Sequence, residues 1–161
     1  MGKKLLLDCG MFQGMGKETN ALNRYFGFDP MTIDAMILSH AHIDHSGLIP
    51  KLTKEGFKGT IFLYTSNKRT NRSFVGRFGQ RYRKTILNMK IKEGQQQDNH
   101  ILLHYIQLMM QKAQDHFATA EYNQWFNVME DVQAMFTDAG HIIGSACVHV
   151  RIKEDGNERD A

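Results

Sequence analysis

The chain has 161 residues, 42% of them hydrophobic, so it is long enough for one domain with a buried core. A net charge of +3 and a pI near 8.9 are too mild to indicate a nucleic-acid partner by themselves. Two cysteines are too few for a disulfide framework, and no apolar segment approaches the ~20 residues of a membrane span, so we expect a reduced, cytoplasmic protein with no membrane segment.

The first predicted strand covers residues 4–7, a lysine followed by three leucines, and it ends at Asp8, which is followed by Cys9 and Gly10. A carboxylate at a strand end is either a turn former or an acceptor that orients a metal-ligating histidine. Both interpretations remain open for Asp8. Residues 20–28 are compatible with a short helix or a loop, and an Asp-Pro pair then breaks the chain.

The most informative stretch, SHAHIDHSG, directly follows the apolar run at residues 35–38, which indicates a buried strand. Side chains alternate along extended backbone, so His40 and His42 point the same way and can share one ion. Asp44 and His45 follow as the chain turns and can reach a second ion ~3.5–4 Å from the first. Imidazole and carboxylate suit Zn²⁺ or a similar divalent ion. A histidine-rich surface loop is the alternative interpretation.

Downstream of the histidines, the spacing of apolar residues predicts a helix over residues 47–55, with Gly56 as its C-terminal cap. Residues 60–65 form the next predicted strand. Strand, helix and strand in this order predict a right-handed βαβ unit. The histidines would then lie at the carboxyl end of its first strand, where α/β sheets bind their ligands.

The last third of the chain contains further predicted strands. Residues 114–131 are helix-compatible at first and then include a short strand at 125–128, and two more strands are predicted at 134–137 and 146–152. His141 lies between the last two strands in the loop DAGHIIGS, whose glycines allow backbone to approach an ion closely. It is our candidate for the third ligand of the first metal.

With these residues, the chain resembles the metallo-β-lactamase fold and, within it, the β-CASP branch of RNA-processing nucleases. The resemblance is carried by LLLDCGMFQG, FDP..IDAMILSHAHIDHSGLIPKL, YNQWF and FTDAGHIIGSA. The pattern HxHxDH identifies the superfamily, and DCGMFQG and AGHIIGSA in register with it narrow the choice to this branch.

The resemblance implies an α/β fold, part of an αββα sandwich, and zinc-dependent hydrolysis of RNA phosphodiester bonds. It implies two zinc ions, with Asp8 as a supporting carboxylate and Asp44 also orienting the attacking hydroxide. The metal ligands that it implies are His40, His42 and His141 for one ion, and Asp44 and His45 for the other.

The chain also lacks parts of the family pattern, so we expect residues 1–161 to form a partial domain. Family members begin with further strands before LLLDCG, carry a β-CASP cap domain, and supply a bridging aspartate and a last zinc-binding histidine after AGHIIGSA. Asp155 and Asp160 lie in a polar tail and are poor substitutes. We therefore expect an incomplete hydrolase fragment that is weakly active or inactive, and a non-catalytic metal-binding remnant is an alternative hypothesis. A thioesterase or lactonase of the same superfamily is another, which AGHIIGSA disfavours.

The segment at residues 67–112 fits neither the fold nor the family. Its interleaved basic and aromatic residues would suit RNA binding, and a solvated, poorly ordered insertion is the structural alternative. A third hypothesis, out-of-frame translation, accounts for more of the sequence. A two-base shift over Met109-Met110-Gln111 permits Asp-Asp-Ala, within a phrase PLYTTDDAE that family members have here. Shifts upstream permit EYENKRR and DSAK, in family order.

We predict that resequencing the gene will reveal small insertions or deletions on both sides of the codons for residues 67–112. The codons for the SHAHIDHSG stretch serve as the control, because they are expected to keep their frame. An uninterrupted frame that encodes NKRTNRSFVGRF would contradict the hypothesis.

Overall fold

Two four-stranded sheets form the frame of the protein, which is described by a computed structural model. The structure describes residues 2–14, 17–64, 112–113, 115–154 and 157–160. The predictions for residues 67–112 lie outside the described residues, except at Lys112. No helix in the described part of the chain has the length and apolar character that a membrane span requires.

The first sheet has the strand order β1-β2-β3-β4, and its strands all run parallel. They are β1 (Leu5–Leu7), β2 (Ala35–Leu38), β3 (Thr60–Tyr64) and β4 (Phe117–Ala120). The helical elements between β1 and β3 are α1 (Lys17–Arg24), a 3-10 turn (Pro30–Thr32), α2 (Ile43–Ser46) and α3 (Ile49–Lys54). The three strands predicted first along the chain are confirmed, and so is the α/β class.

The second sheet is antiparallel, with the order β5-β6-β7-β8. Its strands are β5 (Trp125–Met129), β6 (Val132–Asp138), β7 (Ala146–Glu154) and β8 (Asn157–Asp160). The predicted strands at 125–128, 134–137 and 146–152 are confirmed, and the last two are longer than expected. Asp160, which the sequence placed in a polar tail, belongs to β8 and pairs with Arg151 through a bond of 2.7 Å.

The helix-compatible interpretation of the segment that begins at residue 114 is wrong over Phe117–Ala120, which form strand β4. Pairing with β3 overrides the weak local preference: Ile61 N donates to His116 O at 2.8 Å, and Phe117 lies opposite Ile61 in parallel register. Phe117 also packs against the core on the helix side of the sheet. The FATA sequence has no period of its own, so tertiary pairing decides its structure.

Strand β2 is buried on both faces, as its continuous apolar sequence predicts. Met36 and Leu38 face the core beneath α3, together with Ile49 and Leu52. The alternate residues of β2 face the second sheet and pack in the core that contains Phe136. Because β2 contributes to both cores, its carboxyl end is held from two sides.

The predicted helix over residues 47–55 is observed as α3 (Ile49–Lys54), and a break separates it from the short helix α2 (Ile43–Ser46), which was not predicted. Pro50 explains the break, because proline suits the first turn of a helix but cannot continue one from the preceding turn. Gly56 ends α3 as predicted, with φ at +104°. Gly56 N donates to Thr53 O at 3.3 Å and Phe57 N donates to Leu52 O at 3.2 Å, the two bonds of a Schellman motif.

Gly10 allows the loop after β1 to lie directly on the backbone of α2. A Cβ added at Gly10 would lie 1.5 Å from the carbonyl oxygen of Asp44 and 2.1 Å from its carbon. Hydrogen bonds on either side hold the two segments together: Cys9 N donates to His45 O at 2.7 Å, and Met11 N donates to Ile43 O at 3.0 Å. A side chain at position 10 would therefore push the turn that carries Asp8 away from the helix that carries Asp44 and His45.

We predict that Gly10→Ala lowers the free energy of unfolding by roughly 1–3 kcal/mol or more, because the clash is with backbone that cannot rotate away. Chemical denaturation of the full chain measures the loss. Gly27→Ala is the matched control, since a Cβ there meets nothing within 4 Å, and we expect it to change stability by no more than about 0.5 kcal/mol. Equal stability of the two variants would contradict the close approach at Gly10.

Candidate metal centre

The candidate site lies where the parallel strands β1 and β2 end side by side. Leu7 lies opposite Ile37 in this pair, so the residues that follow each strand are brought together. A third segment, the loop between β6 and β7, arrives from the other sheet. Ala146 N donates to Ser39 O at 2.9 Å, and this bond fixes the start of β7 against the end of β2. The chain thus joins three strand ends at one place.

Three histidines converge at this place, two from the loop after β2 and one from the loop before β7. His40 Nε2 lies 3.1 Å from His42 Nδ1, and His141 Nε2 lies 3.2 Å from the same atom. All three ligand atoms fall within 4.8 Å of one another. The structure therefore brings together His40, His42 and His141, which the sequence predicted as one group, although His141 is 99 residues away from His42 in the chain.

The chemistry of this donor set fits a cation. Both short contacts meet at His42 Nδ1, which offers a single lone pair or a single hydrogen, so a shared hydrogen can satisfy only one contact well. An ion accepts all three lone pairs at once. Tetrahedral bonds of ~2.0–2.1 Å would separate neighbouring nitrogens by about 3.3–3.4 Å, close to the observed contacts. The cluster can hold a divalent metal ion without a large rearrangement.

The pKa of His40 is lowered, mainly because burial disfavours the charged imidazolium and also because His45 and His42 lie close to it. Metal ligation requires the neutral imidazole. The surroundings of His40 therefore favour the protonation state that binds an ion.

Asp44 and His45 lie at the first turn of α2, beside the three-histidine cluster. The His45 ring centroid is 4.0 Å from that of His40, and His45 Nε2 is 3.8 Å from Asp44 Oδ2. Asp44 is exposed, so its carboxylate is open to solvent or to an ion. Both residues thus lie next to the cluster, where they could contribute to a second binding position.

Asp8 lies beneath these ligands and has an unusual backbone. Its φ is +57°, a conformation that aspartate tolerates better than most residues. The carboxylate accepts from Ser39 N and Ser39 Oγ, both at 2.7 Å, and Oδ2 lies 2.7 Å from His45 Nδ1. Of the two interpretations of Asp8, the one in which a carboxylate orients a histidine fits these contacts.

Two residues at the site were missed by sequence analysis. Ser39 contacts Asp8 and His40, and only its position before His40 could have drawn attention to it. Tyr122 donates to Ser145 O at 2.6 Å and stacks on Tyr64 with ring centroids 3.5 Å apart, which anchors the base of the His141 loop. No local pattern predicts that long-range bond.

Cys9 lies next to Asp8 in sequence but is not a ligand candidate. It is buried, and desolvation is the main cause that raises its pKa to about 12, with Asp8 adding to the rise and Lys51 opposing it. A thiol must lose its proton to bind a metal ion, so this environment keeps Cys9 inert.

Comparisons with known proteins agree with these features. A family model described as the metallo-beta-lactamase superfamily matches residues 1–65. A ribonuclease from Thermus thermophilus is 33% identical over 156 residues, covering 91% of this chain and 29% of that protein. Transcription termination factor FttA from Methanosarcina mazei is 29% identical over 152 residues, covering 92% and 21% respectively. Endoribonuclease YSH1 from Kluyveromyces lactis is 27% identical over 155 residues, covering 94% and 19%. The chain thus spans less than a third of the length of these curated relatives.

We predict that iodoacetamide at pH 8 labels Cys147 in the native protein and leaves Cys9 unmodified, because a pKa near 12 keeps the buried thiol protonated at that pH. Mass spectrometry of the intact chain and its peptides measures the labelling. After denaturation both thiols should react. In a Cys147→Ser variant the native protein should take up no label, and labelling of Cys9 at the rate of an exposed thiol would contradict the prediction.

Proposed function

We propose that this chain, which belongs to the metallo-β-lactamase superfamily and to its β-CASP RNA-processing branch, is a zinc-dependent hydrolase of RNA phosphodiester bonds. The observation that carries the proposal is the convergence of three imidazole nitrogens on one point at the end of β2. Zinc is the ion that best suits an all-imidazole set with a neighbouring carboxylate.

The proposed site would hold two ions. His40, His42 and His141 would hold the first, and Asp44 and His45 would hold the second. The support for the second position is the 4.0 Å approach of the His45 and His40 rings and the exposed carboxylate of Asp44. Asp8 holds the His45 ring in place through its 2.7 Å contact with Nδ1, leaving Nε2 directed to the ion.

Bound zinc supplies a lowered pKa for water and positive charge opposite a phosphoryl group. The protein residues provide the rest. Asp44 is exposed and faces the site, so it can accept the proton of an attacking water and orient it toward phosphorus. Water adds to phosphorus, one phosphorus–oxygen ester bond breaks, and the departing oxygen takes up a proton from solvent.

RNA is the proposed substrate because relatives across the length of this chain are named ribonuclease and endoribonuclease. The mild net charge of +3 does not by itself draw a polyanion to the chain, so the proposal depends on the site and the relatives. The alternative of a small thioester or lactone substrate has no observation in its favour.

We predict that the full chain, loaded with zinc and dialysed, retains stoichiometric zinc and hydrolyses end-labelled RNA while leaving a thioester intact. His42→Ala should lose bound zinc and reduce RNA hydrolysis to the uncatalysed background, because His42 Nδ1 is the atom on which both short contacts meet. Elemental analysis measures the zinc, and gel separation of the RNA measures the cleavage.

The matched control is His149→Ala. His149 lies on β7 and contacts Thr137 at 3.0 Å, so its removal should leave zinc content and RNA cleavage unchanged. Stoichiometric zinc without hydrolysis of either substrate would contradict the proposed activity and favour a metal-binding remnant. Thioester hydrolysis without RNA cleavage would contradict the proposed substrate.

A further inference from the structure

Ser39 contacts three segments at the candidate metal centre, which are the turn after β1, the loop after β2 and the start of β7. Its backbone N–H donates to Asp8 Oδ1 at 2.7 Å, and its carbonyl accepts from Ala146 N at 2.9 Å. Its hydroxyl lies 2.7 Å from Asp8 Oδ2 and 3.0 Å from His40 Nδ1. None of these contacts makes Ser39 a ligand, and it takes no part in the mechanism proposed above.

The hydrogen bonds of the Ser39 hydroxyl have a definite direction. An ionised carboxylate can only accept, so the hydroxyl must donate its single hydrogen to Asp8. The same oxygen can then only accept from His40. The hydrogen on the neutral His40 ring must therefore lie on Nδ1, and Nε2 must carry the lone pair.

We propose that Ser39 is a positioning residue that relays the charge of Asp8 to His40 and fixes the His40 tautomer that can bind an ion. Nε2 is the atom of His40 that faces the three-histidine cluster, 3.1 Å from His42. A neutral histidine in water favours the opposite tautomer, with hydrogen on Nε2, which would point that hydrogen at the ion. The relay thus holds the less common form in advance of binding.

One carboxylate controls two ligands through this arrangement. Asp8 Oδ2 accepts directly from His45 Nδ1 and, through the Ser39 hydroxyl, orients His40 Nδ1. Both rings then present Nε2, and the two ring centroids lie 4.0 Å apart. Because Ser39 acts through hydrogen bonds and not through packing alone, its role can be separated experimentally from a structural one.

The test uses the full chain with ¹⁵N-labelled histidine, without added metal, at a pH at which the rings are neutral. Two-bond proton–nitrogen spectra report which ring nitrogen carries the hydrogen, and the His40 signals are assigned from their loss in His40→Ala. We expect hydrogen on Nδ1 of His40 in the wild type and a shift toward Nε2 in Ser39→Ala. Ser39→Thr keeps a hydroxyl and should keep the wild-type tautomer.

Zinc affinity, measured by competition with a chelating dye, is the second readout. We expect Ser39→Ala to weaken binding roughly 10–100-fold, the range for residues that orient metal ligands, and Ser39→Thr to restore it. Thr53→Ala is the matched control, because it removes a hydroxyl that donates to Pro50 O at 3.1 Å, within α3. Thr53→Ala should change neither the tautomer nor the affinity.

Hydrogen on Nε2 of His40 in the wild type, or an unchanged tautomer in Ser39→Ala, would overturn the inference. The inference uses the metal centre of the proposed function, but the tautomer is read without metal. A wild-type protein with the expected tautomer that binds no zinc would overturn the proposed function and leave the relay standing. If Ser39→Ala leaves the zinc affinity unchanged, the inference about Ser39 is overturned and the proposed function is not.

Discussion

Burial of β2 on both faces is the constraint on which the rest of the structure depends. Met36 and Leu38 belong to the core beneath the helices, while Ala35 and Ile37 belong to the core between the sheets. Four consecutive residues are thereby fixed from two sides, and the chain that leaves Leu38 begins at a defined position. The polar residues that follow cannot sink into either core. They collect at the sheet edge, where they remain partly open to solvent.

The close approach of two backbone segments fixes the positions of the side chains at this edge. The Asp8–Gly10 turn lies on the backbone of α2, since a Cβ at Gly10 would meet Asp44 O at 1.5 Å. Asp8 adopts a positive φ at the same turn, a conformation with an energetic cost that the surrounding hydrogen bonds offset. The rigid contacts lie under the ligands, and the ligands themselves are half-buried or exposed. Such an arrangement holds side chains in place before an ion arrives.

Sequence reasoning succeeded where the information was local. The apolar run at β2 and the alternation of His40 and His42 are properties of neighbouring residues, and the structure places both as expected. The errors arose where distant partners decide the outcome. Strand β4 forms because β3 offers hydrogen bonds to it, and Ser39 matters because Asp8 lies 31 residues away in the chain but at hydrogen-bonding distance. No periodicity in a single segment encodes such pairings.

The origin of the three histidines has a further energetic consequence. His40 and His42 follow a strand of the first sheet, whereas His141 belongs to a loop of the second, and Ala146 N–Ser39 O is the bond that joins the two at this edge. An ion held by all three would add a second link between the sheets. Ligands that bind only the folded state stabilise it, by about 2.7 kcal/mol at a free concentration 100 times the dissociation constant. Part of that gain would come from holding the His141 loop, because His141 is the most exposed of the three. A bound metal ion would therefore strengthen the connection between the two sheets at the carboxyl end of β2.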